Sequence, residues 1–127
     1  MRATAEKDEL LRLYREIWRL MVSLRPLVER EQWQALADEL SRREQLMARV
    51  KEITGEEAPF LTPDEREQVI TWLREAQEAE REVIALLRQK RDEAQAKLAE
   101  LERSRVGRRY YLTGVAGDIS RWLDRQG

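Results

Sequence analysis

Between Pro63 and Gly107 the chain contains no residue that breaks a helix, since neither glycine nor proline occurs there. Apolar residues recur in this stretch at spacings of three and four, which is typical of one face of an α-helix. At about 1.5 Å per residue, such a helix would be roughly 65 Å long. The other segments can bury their apolar residues against part of it, so the sequence predicts an all-α fold.

Two shorter helices are predicted before this long one. The first covers residues 8–28, and we expect Pro26 to kink or close it because proline removes a hydrogen bond to the preceding turn. The second covers residues 32–53, and Gly55 follows it as a stop signal. The apolar stripes are Leu10, Leu13, Ile17, Leu20, Leu24 and Leu27 in the first helix, and Trp33, Leu36, Leu40, Met47 and Val50 in the second.

An internal loop is predicted at residues 54–62, and we expect Phe60 and Leu61 to pack back onto the bundle. The start of the long helix has the strongest local signal. Thr62 offers a hydroxyl for the N-cap, Pro63 suits the first helical position, and two acidic residues follow near the positive end of the helix.

The apolar surface of the long helix changes near its middle. From Val69 to Leu87 it is broad enough to contact two helices, whereas from Arg88 to Arg105 it thins to Ala94, Leu98 and Leu101. We therefore expect the first half to complete an antiparallel three-helix bundle and the second half to project from that bundle.

The C-terminal segment has a different character, because glycines stand at positions 107, 114 and 117. We expect it to be mobile or to fold back, with Asp118 capping a short final turn that carries Trp122 and Leu123. The predicted organisation is a helical bundle over residues 1–106, with helices of about 8–28, 32–53 and 63–106, followed by a short tail over residues 107–127.

The composition argues against catalysis. The chain has no histidine, cysteine or asparagine, so the commonest general base, the usual zinc ligands and thiol nucleophiles are missing. The Glu-x-x-His pattern of helical di-metal sites also needs histidine. A carboxylate-only hydrolase is the enzyme class that stays open. We predict no catalytic residues, no cofactor and no metal, and hence a protein that is not an enzyme.

Charged residues make up 39% of the chain, yet the net charge is only −1. This balance is typical of helices with solvated outer faces rather than of a protein that binds polyanions. No apolar run is long enough to span a bilayer, and the N-terminus lacks the apolar core of a signal peptide. We expect a cytoplasmic protein without stable membrane insertion.

Two charged residues fall on apolar stripes, Arg43 in the second helix and Glu80 in the third. One interpretation is a buried or half-buried pair that fixes the register of these two helices. The other is that Arg43 extends its charged end into solvent along an apolar stem.

One cluster is both basic and aromatic, and it has two interpretations. In the first, the cluster binds nucleic acid, with arginines contacting phosphates and tyrosines stacking on bases. In the second, the arginines are cations that stabilise the C-terminus of a helix, and the neighbouring aromatic residues pack on the bundle. We favour the second, and predict no nucleic-acid partner, because Glu100 and Glu102 lie alongside. The cluster consists of Arg103, Arg105, Arg108, Arg109, Tyr110 and Tyr111.

A three-helix core cannot hide every apolar residue at once. Leu11, Trp18, the thin stripe on the long helix and the aromatic residues of the tail would remain. Leftover stripes at helical spacing are often grooves that bind a helix of another protein. A homodimer interface, or a core closed by the tail, would bury the same residues.

Several segments together resemble a known family. The first helix carries Leu-Leu-x-x-Tyr-x-x-Ile at residues 10–17, and a polar turn leads to a Trp and a Leu within residues 31–36. A Glu-rich second helix covers residues 40–49. The long third helix ends in Arg108-Arg109-Tyr110, and the tail carries Trp122-Leu123-Asp124-Arg125. This pattern covers nearly the whole chain and resembles the FliT type of flagellar export chaperone.

The resemblance implies that the protein binds the C-terminal segment of the filament cap protein, prevents early assembly and delivers it to the flagellar type III export apparatus. It also implies that the segment from about Tyr110 to Leu123 covers the binding surface, although the three glycines depart from a stable C-terminal helix. The partner-binding residues it indicates, together with the leftover apolar residues, are Ile84, Leu87, Ala94, Leu98, Leu101, Tyr110, Tyr111 and Trp122.

Three other functions compete with this interpretation. The pattern is also similar to chaperones of hook-junction proteins, the FlgN type. A structural coiled-coil component of the export machinery would need two long helices of similar length, which the loop at residues 54–62 argues against. A nucleic-acid-binding regulator would use the arginine and tyrosine cluster. A homodimer is compatible with each of them.

Overall fold

The computed structural model describes residues 2–55, 57–104, 122–123 and 125. The described residues form helices and connecting turns without strands, which confirms the all-α prediction. The tail residues among them, Trp122, Leu123 and Arg125, are helical. Four helices precede these tail residues: α1 (Arg2–Val22), α2 (Leu24–Glu29), α3 (Trp33–Thr54) and α4 (Pro63–Ser104).

The chain forms two compact units, Met1–Arg81 and Glu82–Gly127. The first unit holds α1, α2, α3 and the beginning of α4. Its core contains most of the predicted first stripe, although Leu27 is only half-buried. In α3 the predicted stripe is partly wrong, because Met47 is 44% exposed and Trp33 and Leu40 are half-buried. Burying each large aliphatic side chain stabilises the fold by about 1.5–3 kcal/mol. The buried residues of this unit are Leu10, Leu13, Ile17, Leu20, Met21, Leu24, Val28, Leu36, Val50, Ile53, Val69 and Ala76.

Ion pairs between α1 and α3 show that these helices run antiparallel. Glu9, early in α1, accepts from Arg49, late in α3, with an Nε–Oε1 distance of 2.6 Å. Glu16, further along α1, pairs with Arg42, earlier in α3, at 3.5 Å. The beginning of α4 runs alongside α1 in the same direction, since Lys7 lies 3.3 Å from Glu65 and Trp18, further along α1, donates to Glu75, further along α4. The three helices therefore alternate in direction, as predicted.

The helix predicted over residues 8–28 begins earlier in the structure and is interrupted before Pro26, while its helical stretch ends at Glu29, one residue beyond the predicted end. The helix begins at Arg2 because residues 2–7 are good helix formers apart from Thr4, although they carry no apolar period. It is interrupted at Ser23, three residues before Pro26, because proline has no N–H for the Val22 carbonyl and its ring crowds that oxygen. The turn closes instead with a bond from the Ser23 N–H to the Leu20 carbonyl at 3.2 Å.

The end of α2 has the hydrogen-bond pattern of a Schellman motif. The Gln32 N–H donates to the Leu27 carbonyl at 2.9 Å, and the Glu31 N–H donates to the Val28 carbonyl at 3.0 Å. This pattern requires one residue in the left-handed conformation, and Glu31 is that residue, with φ 54. Glycine is the usual residue there because a side chain costs free energy in this conformation.

The α3–α4 connection confirms the predicted N-cap and corrects the prediction for the loop. The Thr62 hydroxyl accepts from the Glu65 N–H at 3.2 Å, and the Glu65 carboxylate accepts from the Thr62 N–H at 2.9 Å, which is a capping box. Phe60 does not pack back, since 76% of its surface is exposed, whereas Leu61 is half-buried. The core closes without Phe60 because Ile53 and Val69 are already buried on either side of the connection.

Replacing Glu31 by glycine is expected to raise the free energy of unfolding by about 0.5–1 kcal/mol, because glycine adopts the left-handed conformation without a steric cost. Urea unfolding of the variant measures this change. The matched control is Glu29→Gly at the last helical residue of α2, which should lower stability by about 1 kcal/mol because it adds a glycine to the helix and removes the Arg25 pair. Destabilisation by both substitutions would contradict the strain assigned to Glu31.

Replacing Glu65 by glutamine is expected to remove a pH-dependent part of stability. The Thr62 backbone N–H, the Thr62 hydroxyl and Lys7 hold the pKa of the Glu65 carboxyl below its ordinary value of 4.5. A lowered folded-state pKa contributes stability that is present above the unfolded value and lost as pH falls through the folded value. The difference in unfolding free energy between the two chains should therefore be constant above pH 4.5 and shrink below it. A difference that stays constant in acid would contradict this.

Candidate partner-binding surface

The part of α4 in the second unit carries a row of residues at alternating spacings of three and four. We call this row the α4 stripe. Its members lie on one face because this spacing matches the turn of an α-helix. Five of the eight partner-binding residues predicted from the sequence belong to it. The apolar members of the α4 stripe are Ile84, Leu87, Ala94, Leu98 and Leu101, with Arg91 between Leu87 and Ala94.

The members of the α4 stripe differ in burial. Leu87 is 1% exposed and belongs to the core of the second unit, together with Val83. Ile84, Ala94, Leu98 and Leu101 are half-buried. These half-buried side chains still have apolar surface to lose, and each 100 Å² removed from water contributes about 2.5 kcal/mol. A partner could therefore bind here without unfolding the helix, but it could reach Leu87 only if the cover of that residue moved.

The tail supplies the remaining predicted residues. Trp122 is 6% exposed and Leu123 is 2% exposed, so the tail contributes two side chains to the core of the second unit. Leu123 is not in the predicted set, and it is buried as Trp122 is. Tyr110, Tyr111, the three glycines and the Asp118 cap lie outside the described residues.

Arg91 is not in the predicted set, but it lies on the same face of α4. It occupies an apolar position of the α4 stripe, and its side chain is 33% exposed. Its Nε atom is buried, and it finds no hydrogen-bond acceptor among the residues that the structure describes. The position of Arg91 in the 3–4 spacing was the signal in the sequence that could have singled it out.

The first unit resolves the question about Arg43 and Glu80. Their side chains meet, with an Nη2–Oε1 distance of 3.5 Å, and are 22% and 18% exposed. The interpretation as a half-buried pair is therefore the correct one. A half-buried pair between α3 and α4 penalises any shift that would separate the two charges, so it helps to fix their register.

Trp18, expected among the leftover apolar residues, is partly covered by α4 within the first unit. Its ring stacks on Trp72 with centroids 6.3 Å apart and planes inclined by 29°. Its indole N–H donates to the Glu75 carboxylate at 2.6 Å. The indole thereby satisfies its polar atom while its ring contributes to the α1–α4 contact.

The shifted pKa values in the chain have structural causes. Hydrogen bonding to Arg49 holds the pKa of the Glu9 carboxyl below its ordinary value. Burial raises the pKa of the Tyr14 hydroxyl. Each of these shifts follows from helix packing, so neither marks an acid or base in a cleft. Within the described ranges, no cluster of three or more acidic side chains is arranged to hold a metal ion.

No helix among the described residues is both long enough and apolar enough to cross a membrane.

One of three comparisons with known proteins gave a match. The model of a protein family described as "Flagellar protein FliT" matches residues 6–113. The matched span contains nearly all of α1 and the whole of α2, α3 and α4, while Trp122 lies beyond it. Searches against curated proteins and against solved structures gave no significant match.

Truncating Leu87 to alanine is expected to cost about 2–5 kcal/mol of unfolding free energy, because it leaves a cavity in a core. The same change at Leu98 removes a half-buried side chain, and its cost should be less than half as large. Urea unfolding of the two variants measures both costs. Equal losses would mean that Leu98 is a core residue and is not available to a partner.

Proposed function

Because the chain belongs to the FliT family of flagellar export chaperones, we propose that it binds the C-terminal segment of the filament cap protein. In this proposal the chaperone acts in the cytoplasm, prevents early assembly of the cap and delivers it to the type III export apparatus. The observation that carries the proposal is the half-buried apolar row on α4, which has the spacing that a client helix would match.

The burial of the α4 stripe suits a chaperone that must release its client. Ile84, Ala94, Leu98 and Leu101 offer partial rather than full apolar side chains to a partner. Such a surface gives a modest gain on binding, and association also costs translational and side-chain freedom. The resulting affinity is strong enough to hold an unassembled client and weak enough for transfer at the export apparatus.

Regulation by the tail is the second part of the proposal. Trp122 and Leu123 are buried in the unit that also contains the α4 stripe. We propose that the segment from about Tyr110 to Leu123 competes with the client for apolar surface near Leu87. A competing segment lowers the apparent affinity by the fraction of molecules in which the site is open.

Co-expression with the cap protein of the same flagellum tests the proposed client. We expect the chain to capture the full-length cap protein and not a form that lacks its C-terminal segment. Capture of both forms would mean that the chain recognises a different part of the cap protein. Capture of neither would contradict the proposal and make the hook-junction proteins the next clients to test.

Weakening the packing of the tail should increase the affinity for the client. The double substitution Trp122→Ser with Leu123→Ser removes two buried apolar side chains, so the tail should cover the surface less often and the apparent Kd should fall severalfold. Deleting residues 107–127 should act in the same direction. Arg125→Ser is the matched control, since Arg125 is exposed in the same segment. Unchanged or weaker binding by both altered chains would contradict masking.

A further inference from the structure

Arg91 is the charged residue in an otherwise apolar row. Leu87 precedes it by four residues and Ala94 follows it by three, so Arg91 occupies the position where the 3–4 spacing calls for an apolar side chain. Two-thirds of its side-chain surface is covered, since 33% is exposed. A cation at such a position differs from the exposed arginines of α4, which lie off the stripe.

The guanidinium of Arg91 lacks a partner for one of its donors. Its Nε atom is buried and has no hydrogen-bond acceptor in the described part of the chain. Oδ1 of Asp92 lies 3.6 Å from this Nε atom, which is an ion-pair distance but too long for a hydrogen bond. A buried charged donor without an acceptor costs free energy, so an acceptor supplied from outside would be favourable.

The helix itself does not supply that acceptor. The residues one turn away from Arg91 are Leu87, Arg88, Ala94 and Gln95, and none of them is acidic. Asp92 is adjacent in sequence, and neighbouring residues on a helix do not face each other. Along the α4 stripe the residues on either side of Arg91 are apolar, while Arg88 and Gln95 are exposed beside the stripe. The complement of the stripe is therefore an apolar helix face with one negative charge.

We propose that Arg91 is the specificity-determining residue of the α4 stripe and that it pairs with an aspartate or glutamate in the client. The inference rests on the proposed function, because it takes the α4 stripe as the client site. The client is an amphipathic helix with apolar residues at spacings of three and four and one carboxylate among them. The Nε and one Nη of an arginine form a fork that holds both oxygens of a carboxylate.

Such a pair selects among clients by rejection as well as by attraction. A helix that is apolar throughout would cover Arg91 and leave its donors without acceptors. A helix with a carboxylate at the matching position satisfies them. A site with a buried polar group discriminates in this way more strongly than an apolar groove does.

The test compares binding of a peptide, the C-terminal segment of the cap protein, to the full chain and to Arg91→Leu by isothermal titration calorimetry. Arg91→Leu is expected to weaken binding about tenfold or more. Arg91→Lys, which keeps the charge but not the fork, should lose less. The matched control Arg88→Leu changes an exposed arginine one turn away and should stay within about twofold.

Each acidic residue of the peptide is then replaced singly by its amide. One replacement should weaken binding to the wild-type chain as much as Arg91→Leu does, and should have no further effect on the Arg91→Leu chain. Arg91→Leu should unfold at the same or a higher urea concentration than wild type, because it removes an unsatisfied donor. This measurement shows that any loss of binding is not caused by unfolding of the variant.

Equal or tighter binding of the peptide by Arg91→Leu would overturn the inference and leave the proposed function intact, since the client would then be purely apolar. The same holds if no acidic residue of the peptide is coupled to Arg91. Failure of the wild-type chain to bind the peptide would overturn both the proposed client and this inference.

Discussion

The packing of the apolar face of α1 against α3 is the interaction on which the first unit depends. Leu10, Leu13, Ile17 and Leu20 are almost fully buried, and they repeat at three and four residues over most of α1. Ion pairs such as Glu9–Arg49 flank this contact on its solvent side. Exposed pairs contribute little to stability compared with the burial of the stripe, but like charges in the wrong register would be penalised. Apolar burial therefore holds the helices together, and the charges help to select how they align.

Helix boundaries in the chain are set by local chemistry rather than by the core. The capping box of Thr62 and Glu65 satisfies two N–H groups at the start of α4 that have no helical partner. Lys7 pairs with the same Glu65, so the cap also contacts α1. At the end of α2, the Schellman bonds close the helix even though Glu31 must adopt a left-handed conformation. The short connection leads directly into α3 and places Leu36 in the core.

Sequence patterns predicted the features that depend on local rules. The spacing of apolar residues predicted α1, α3 and α4, and Thr62-Pro63 predicted where α4 begins. The patterns failed where the outcome depends on what else fills the core. Phe60 is as apolar as Ile53, but the core closes without it. Arg43 and Glu80 could be placed on stripes, yet their pairing depended on a helix register that periodicity does not give.

The candidate surface was predicted less completely than the fold. The 3–4 spacing identified Ile84, Leu87, Ala94, Leu98 and Leu101 as one face, but it could not separate buried Leu87 from its half-buried neighbours. Periodicity along one helix carries no information on what packs over each of its residues. Arg91 was not among the predicted residues, because a search for leftover apolar residues passes over a charged one even when it shares their face.

The order of contacts along the chain has a consequence for how the protein folds during synthesis. The Glu16–Arg42 and Glu9–Arg49 contacts join residues 26 and 40 positions apart, whereas Trp18 and Glu75 are 57 positions apart. Closing the shorter loops costs less chain entropy, and nearby contacts form faster. We therefore expect α1, α2 and α3 to associate as a hairpin-like nucleus while α4 is still on the ribosome. The α4 stripe, which is proposed to bind the client, would then be synthesised after the first three helices have largely folded.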